Sequence, residues 1–403
     1  MSTTKQKNKP LFILMLNMFI GMVGIGLIIP VLPAFLTEFG ASGQAMGYLV
    51  AAFGLTQFAF SPIVGELSDK YGRKMMIVLG LFTFGVSQWI FGVATEMWML
   101  YASRLLGGAG AACMIPPMLA YVADITTEEK RAKGLGLLGA AMSLGFVIGP
   151  GIGGFLAEYG VRFPFYIAAA VAGISTVISL LFLPETLTKE LQMKARASEK
   201  KRESMITQFI LSFKAPYLML LILIFTLTFG LANFEAIFGL FVDQKYGFTP
   251  KDISIIITVG ALLGTLIQAV VIDRLVQRFG EEKIVNISFV LSAVSLLLMV
   301  LPGNFWSILA ITLLFFAATS LLRPAINTLL SKMAGDEQGF VAGMNNAYMS
   351  LGNIIGPSIA GILYDVNIHL PYMFGAVILF GSVILSVGWS KRRARKQPST
   401  VAI

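Results

Sequence analysis

The apolar positions of this 403-residue chain fall into twelve runs of membrane-crossing length, parted by short polar stretches. Six lie at 11–36, 46–67, 75–93, 98–121, 134–157 and 163–183. Six more lie at 216–242, 253–275, 283–301, 305–331, 339–364 and 370–390. The first run is long for a signal peptide, contains Pro30 and Pro33 and lacks a small-residue cleavage site, so it counts as a span. The polar, charge-rich stretch 184–215 divides the spans six and six. The predicted organisation is therefore a six-helix bundle over 1–183, a cytoplasmic linker over 184–215, and a second six-helix bundle with a basic tail over 216–403.

Composition agrees with the pattern: 56% of the residues are hydrophobic and only 13% are charged, outside what a soluble surface can carry. The net charge of +9 sits in short clusters between spans rather than on one face, so it indicates topology and not nucleic-acid binding. With the N-terminus inside, 25 of the 30 Lys and Arg fall in cytoplasmic segments and three outside (Arg162, Lys245 and Lys251). That asymmetry predicts a multi-pass cell-membrane protein with both termini cytoplasmic. Cys113 and His369 are the sole residues of their types, which leaves no intrachain disulfide and no membrane-embedded histidine. There is no phosphate-cradling glycine loop and no metal-ligand cluster. No catalytic residue, metal or cofactor is expected.

Charges inside the spans carry the functional information. Residues 218–242 run for twenty-five positions with one ionisable side chain, Glu235. At ~1.5 Å per residue the helix is roughly 37 Å long, which places Glu235 within the hydrocarbon core. A carboxyl there must pair, face water or take up a proton, and each option ties it to a transport path; the alternative is a structural acid held by a neighbouring helix. Apart from Arg274 and Lys283 at cytoplasmic span ends, Arg104 and Arg323 are the only basic residues inside spans. Arg104 keeps its charge, so it needs a polar cavity or an anion. Counted from the outer helix ends, it lies at a depth similar to Glu235, roughly 9 to 11 Å. Arg323 is near a cytoplasmic helix end, where snorkelling is an equal alternative.

The chain also repeats itself. MSLGFVIGPGIGG at 142–154 returns as MSLGNIIGPSIAG at 349–361, an offset of 207 that also relates Pro117 to Pro324, Gly136 to Gly343 and Gly40 to Gly247. Two parallel six-span halves with a midplane site are a transporter architecture. The glycines Gly145, Gly149, Gly153 and Gly154, with Pro150, and their counterparts Gly356 and Pro357, allow close helix approach and a bend. They suit a seam that closes or rocks, or ordinary small-residue packing. The turn GELSDKYGRKM offers Gly65, Asp69, Gly72, Arg73 and Lys74; Asp69 can pair with Arg73, Lys74 or a helix end and latch the cytoplasmic side. Leu275, Arg278, Phe279 and Gly280 repeat its spacing in the second half.

With these motifs in view, the chain resembles a twelve-helix major facilitator of the drug/proton antiporter branch. The turn matches that superfamily's G-x-x-x-D-x-x-G-R-K pattern, GFVIGPGIGG the antiporter motif, SRLLGGAGAA around Arg104 the proton-coupling motif, and GIGLIIPVLPAFL the first-helix signature. The likeness is closest to Gram-positive multidrug, including fluoroquinolone, efflux pumps of the Bmr and NorA type.

It implies an all-α polytopic fold of two parallel pseudo-symmetric bundles rocking about a central cavity, acting as a monomer in the bilayer. It implies export of amphipathic, often cationic or zwitterionic drugs, such as dyes, quaternary ammonium compounds and fluoroquinolones, in exchange for protons. Local alignment then places substrate contacts at Phe53, Gln57, Phe146, Phe238, Phe316 and Asn353, and proton coupling at Glu235, Arg104 and Arg323. The family pattern also leads to an acid three residues before the Arg323-Pro324 pair, where this chain has Ser320. A nutrient or metabolite carrier of the same fold is the alternative; the antiporter-like seam and the scarcity of sugar-binding polar groups count against it.

Overall fold

The computed structural model describes residues 2–197, 205–301 and 303–396, and no strand occurs among them. The first six spans are α1 (Ser2–Gly26) continued by α2 (Ile28–Thr37), α3 (Gly43–Tyr71), α4 (Arg73–Val93), α5 (Met97–Ile125), α6 (Glu128–Leu156) and α7 (Phe163–Phe182). Two short helices, α8 (Lys189–Ala197) and α9 (Met205–Ser212), belong to the linker. The second six are α10 (Leu218–Tyr246), α11 (Pro250–Leu266) joined by a π turn to α12 (Ile272–Phe279), α13 (Glu281–Met299), α14 (Phe305–Ala334), α15 (Gln338–Val366) and α16 (Leu370–Lys396). This is an all-α polytopic membrane fold. Eleven of the spans are long and apolar enough to cross a bilayer on length and composition alone. The remaining one is α15, as long as its neighbours but carrying Asn345, Asn346, Ser350, Asn353 and Ser358.

Local chemistry explains the breaks. α1 gives way to α2 at Leu27 because Pro30 and Pro33 cannot donate to the carbonyls of Gly26 and Ile29. The α3–α4 turn holds Gly72 at φ +106°, and the α12–α13 turn holds Gly280 at φ +79°. Both lie where a side chain is strained, so glycine at each repeat of the turn is a backbone requirement. α14 starts on a reciprocal cap in which the Ser307 amide donates to the Asn304 side chain and the Ser307 hydroxyl accepts from the Asn304 amide.

The helices form two compact units. One has its described residues within Met1–Ala41, Tyr48–Lys201 and Val242–Thr258, the other within Ser42–Gly47, Arg202–Phe241 and Val259–Ile403. They follow the two sequence halves except at two short exchanges: the first turn of α3 belongs to the second unit, and the end of α10 with the start of α11 belongs to the first. Inside the first unit, Leu14, Met18, Ile77, Leu81, Met114, Met118 and Tyr121 make one buried cluster.

The repeated glycines do their packing within units. A Cβ on Gly149 would lie 2.9 Å from the Val23 carbonyl oxygen, and one on Gly153 would lie 2.8 Å from Leu27 Cα, so this face of α6 rests on the broken first span. Gly352 and Gly356 seat α15 on α10 in the same way, at 2.9 Å from the Phe225 and 2.7 Å from the Phe229 carbonyl oxygens. Gly153→Leu therefore overpacks a backbone contact, a change that costs about 1–3 kcal/mol or more. We expect it to lower the melting temperature and the monodisperse yield in detergent. Gly136→Ala, whose Cβ meets open space, should change neither.

Candidate functional site

In the first unit the site is built around Arg104, held in α5 at 7% exposure. Its Nε donates to the Leu49 carbonyl at 3.2 Å, and its guanidinium carbon stands 4.6 Å from the centre of the Phe53 ring. The following glycines make this possible. A Cβ on Gly108 would collide with the Phe53 carbonyl, so α5 and α3 meet backbone to backbone and bring Arg104 over the ring. Buried hydrogen bonds stiffen the surroundings: Ser103 donates to the Ser87 carbonyl at 2.7 Å, and Gln88 donates to the Gly24 carbonyl at 2.8 Å. Phe53 is itself 7% exposed, with Phe84, Ala111 and Ala172 around it. Gln57, one turn further along α3, and Phe146 of α6 are half-buried.

In the second unit, Glu235 lies on α10, the most enclosed span. Of its most apolar window 78% is buried, against 28 to 56% for the other ten. Glu235 nevertheless keeps partial exposure between buried Phe234 and Ala236, so it marks the face on which α10 is not covered. Among the described residues its carboxylate takes no ion pair.

Aromatic residues back this position. Phe234 meets Phe238 at 4.8 Å and Phe315 at 4.6 Å with tilted rings, and meets Phe316 edge-on at 6.0 Å. Phe238 is fully buried, unlike the ligand contact the sequence suggests; in this structure it supports Phe234. Phe316 is half-buried and Asn353 exposed. Ser320, which stands where an acid is expected, turns its hydroxyl back to the Ala317 carbonyl at 2.9 Å. Arg323 is exposed, with one guanidinium nitrogen 3.5 Å from the Met349 sulfur.

The α3–α4 turn is a charged knot within the first unit. Arg73 pairs with Asp69 at 2.5 Å and with Asp124 of α5 at 3.3 Å, and donates to the Ser68 hydroxyl at 2.9 Å. The sequence reading missed Glu185. Its carboxylate accepts from the Arg73 and Lys74 amides at 2.9 and 3.1 Å, and so caps the N-terminus of α4. Thr186 donates to Asp124 at 2.9 Å, and Tyr121 donates to the Pro184 carbonyl at 2.6 Å. The start of the linker is thereby fastened to the turn. The signal was an acid directly after the last proline of the first half, within reach of a helix start that has no capping side chain of its own. Gly65 faces open space, whereas a Cβ on Gly72 would strike Glu185.

The model of the Major Facilitator Superfamily matches residues 14–241 and 220–402. Multidrug resistance protein 1 of Bacillus subtilis (strain 168) is 44% identical over 398 residues, covering 98% of this chain and 100% of the relative. Multidrug resistance protein 2 of the same strain is 43% identical and covers 98% of each. Quinolone resistance protein NorA of Staphylococcus aureus (strain COL) is 38% identical, covering 97% and 99%. Among solved structures, a bacterial homolog of the human lysosomal transporter Spinster, inward-facing and occupied, superposes with a TM-score of 0.80 at 14% identity, covering 97% of this chain and 98% of that one.

Proposed function

The chain belongs to the major facilitator superfamily, and on that premise we propose that it exports amphipathic drugs, cationic or zwitterionic, in exchange for protons by alternating access. It is a transporter rather than an enzyme. The observation that carries the exchange reading is Glu235, a mostly buried acid without an ion-pair partner among the described residues, on the most enclosed of the eleven apolar spans. The proposed setting is the cell membrane, with both termini cytoplasmic and the protein acting as a monomer.

The proposed roles follow the geometry. Gln57, Phe146, Phe316 and Asn353 keep surface that a ligand can touch, whereas Phe53 and Phe238 hold Arg104 and the Phe234 ring in place. Arg104, held on Leu49 and Phe53 in the first unit, is proposed to act in proton coupling, and Arg323 to contribute charge near the cytoplasmic end. A few aromatic faces with little directed hydrogen bonding tolerate varied planar cations. The test is drug-dependent proton movement by purified protein in liposomes. Ethidium added on the cytoplasmic side should drive protons the opposite way, and drug movement indifferent to an imposed pH gradient would remove the exchange.

Asp69, through Arg73, is proposed to hold the cytoplasmic turn in the form that favours the outward-facing state. Asp69→Asn leaves Arg73 with Asp124 and Ser68, so the turn should survive while its hold weakens. We expect faster labelling of cysteines introduced on the cytoplasmic face and slower labelling outside. Unchanged rates on both faces would take Asp69 out of the mechanism.

A further inference from the structure

The two segments exchanged between the units carry a pair of matched contacts. In the first unit, Lys251 at the start of α11 donates to Glu158, just beyond α6, at 2.8 Å. In the second unit, Asp365 near the end of α15 accepts from the Gly43 amide at 2.7 Å and the Gln44 amide at 3.0 Å, in the first turn of α3. The repeat offset of 207 relates Glu158 to Asp365, Pro250 to Gly43, Lys251 to Gln44, Ser254 to Gly47 and Gly154 to Gly361. Each acid therefore stands at the equivalent place and reaches the equivalent helix start.

Close approach repeats as well. A Cβ on Gly154 would lie 2.6 Å from the Pro250 carbonyl oxygen, and one on Gly361 would collide with the Gly43 carbonyl. A Cβ on Gly47 would collide with the Pro357 carbonyl. The two contacts differ in one chemical detail. Gly43 has an amide to give, so Asp365 caps α3 directly, a charge placed favourably at a helix N-terminus. Pro250 has none, so Glu158 takes the side chain of the next residue instead.

We propose that Glu158 with Lys251, and Asp365 with the first turn of α3, are two repeat-related clasps that close the extracellular end of the protein and must open for release. Each clasp joins a helix of one sequence half to a helix of the other. None of these five residues belongs to the drug or proton sites, so they set access rather than chemistry. The proposal rests on the export reading only for the direction of release. The clasps differ in kind: the Glu158–Lys251 pair is an ion pair about half exposed on both sides, whereas exposed Asp365 bonds backbone amides at a helix N-terminus; both are screened by salt.

The test reads closure without transport. In a Cys113→Ala background, Ser254→Cys places the sole thiol in the seam where Ser254 is fully buried. A membrane-impermeant maleimide added outside intact cells should label it slowly. Combining Glu158→Gln with Asp365→Asn should raise the labelling rate about fivefold or more, and Glu158→Lys with Lys251→Glu should return the first clasp to the parent rate. An unchanged rate in the double variant, with the protein present in the membrane at parent levels, overturns the proposal. Should the variants lose abundance, a disulfide between Glu158→Cys and Lys251→Cys gives the second reading. Its formation should suppress ethidium efflux, and efflux at the uncross-linked rate overturns the clasp. A parent protein that labels as expected yet moves no drug defeats the export reading alone.

Discussion

Glu235→Gln is expected to abolish concentrative export of cationic drugs while leaving the protein folded in the membrane. The substitution keeps the side chain's shape and its place between Phe234 and Ala236, and removes only the ability to carry charge. A cationic drug and a proton both neutralise one carboxylate, so binding of either favours departure of the other, which is the coupling that exchange needs. Because the carboxylate takes no ion pair among the described residues, no neighbouring cation is left stranded by the change, and the loss reports on coupling rather than on a broken structural pair. In liposomes with an imposed pH gradient we expect concentrative drug uptake to fall about tenfold or more, with downhill movement of neutral drugs less affected. Wild-type exchange in this variant would refute the assignment and move coupling to Asp124, Asp273 or another acid at a helix end.

The spans were legible because a bilayer demands about twenty apolar residues per crossing, and eleven of the helices satisfy that demand outright. α15 does not, although the run at 339–364 reads as a span beside the others; its asparagines and serines lower its apolarity. The embedded charges were legible too, since so few ionisable residues occur inside spans. What sequence left dark is which ring faces what. Phe53 and Phe146 are equally apolar in the chain. Yet Phe53 lies buried beneath Arg104, because Gly108 lets α5 come within contact of its backbone, whereas Phe146 keeps open surface. The contacts at 42–47 and 242–258 were equally invisible, because a few residues at a helix start carry no periodicity of their own. They emerge only when Glu158 and Asp365 are seen against helix starts that the repeat relates. Glu185 escaped for a similar reason: it sits in the linker, and its task is defined by the α4 amides it meets.

The same geometry gives Phe53 a role that substitution can separate from drug contact. Arg104 has two fixed interactions, one hydrogen bond to the Leu49 carbonyl and the face of Phe53, and both groups are almost fully enclosed. A guanidinium over an aromatic face gains about 2 kcal/mol when both are desolvated, and a lysine ammonium cannot reproduce the planar stacking together with the Nε bond. Arg104→Lys should therefore lose export about tenfold although its charge is retained. Phe53→Leu keeps a hydrophobe of similar reach but removes the platform, so it should impair every substrate alike and weaken proton exchange with it. Phe53→Trp restores a ring and should recover much of the activity. Initial efflux rates for ethidium, a quaternary ammonium compound and a fluoroquinolone, measured beside proton movement in the same liposomes, decide the matter. If Phe53→Leu reorders the three substrates while proton exchange stays at the parent level, Phe53 touches the drug itself, and Arg104 holds its position without the ring.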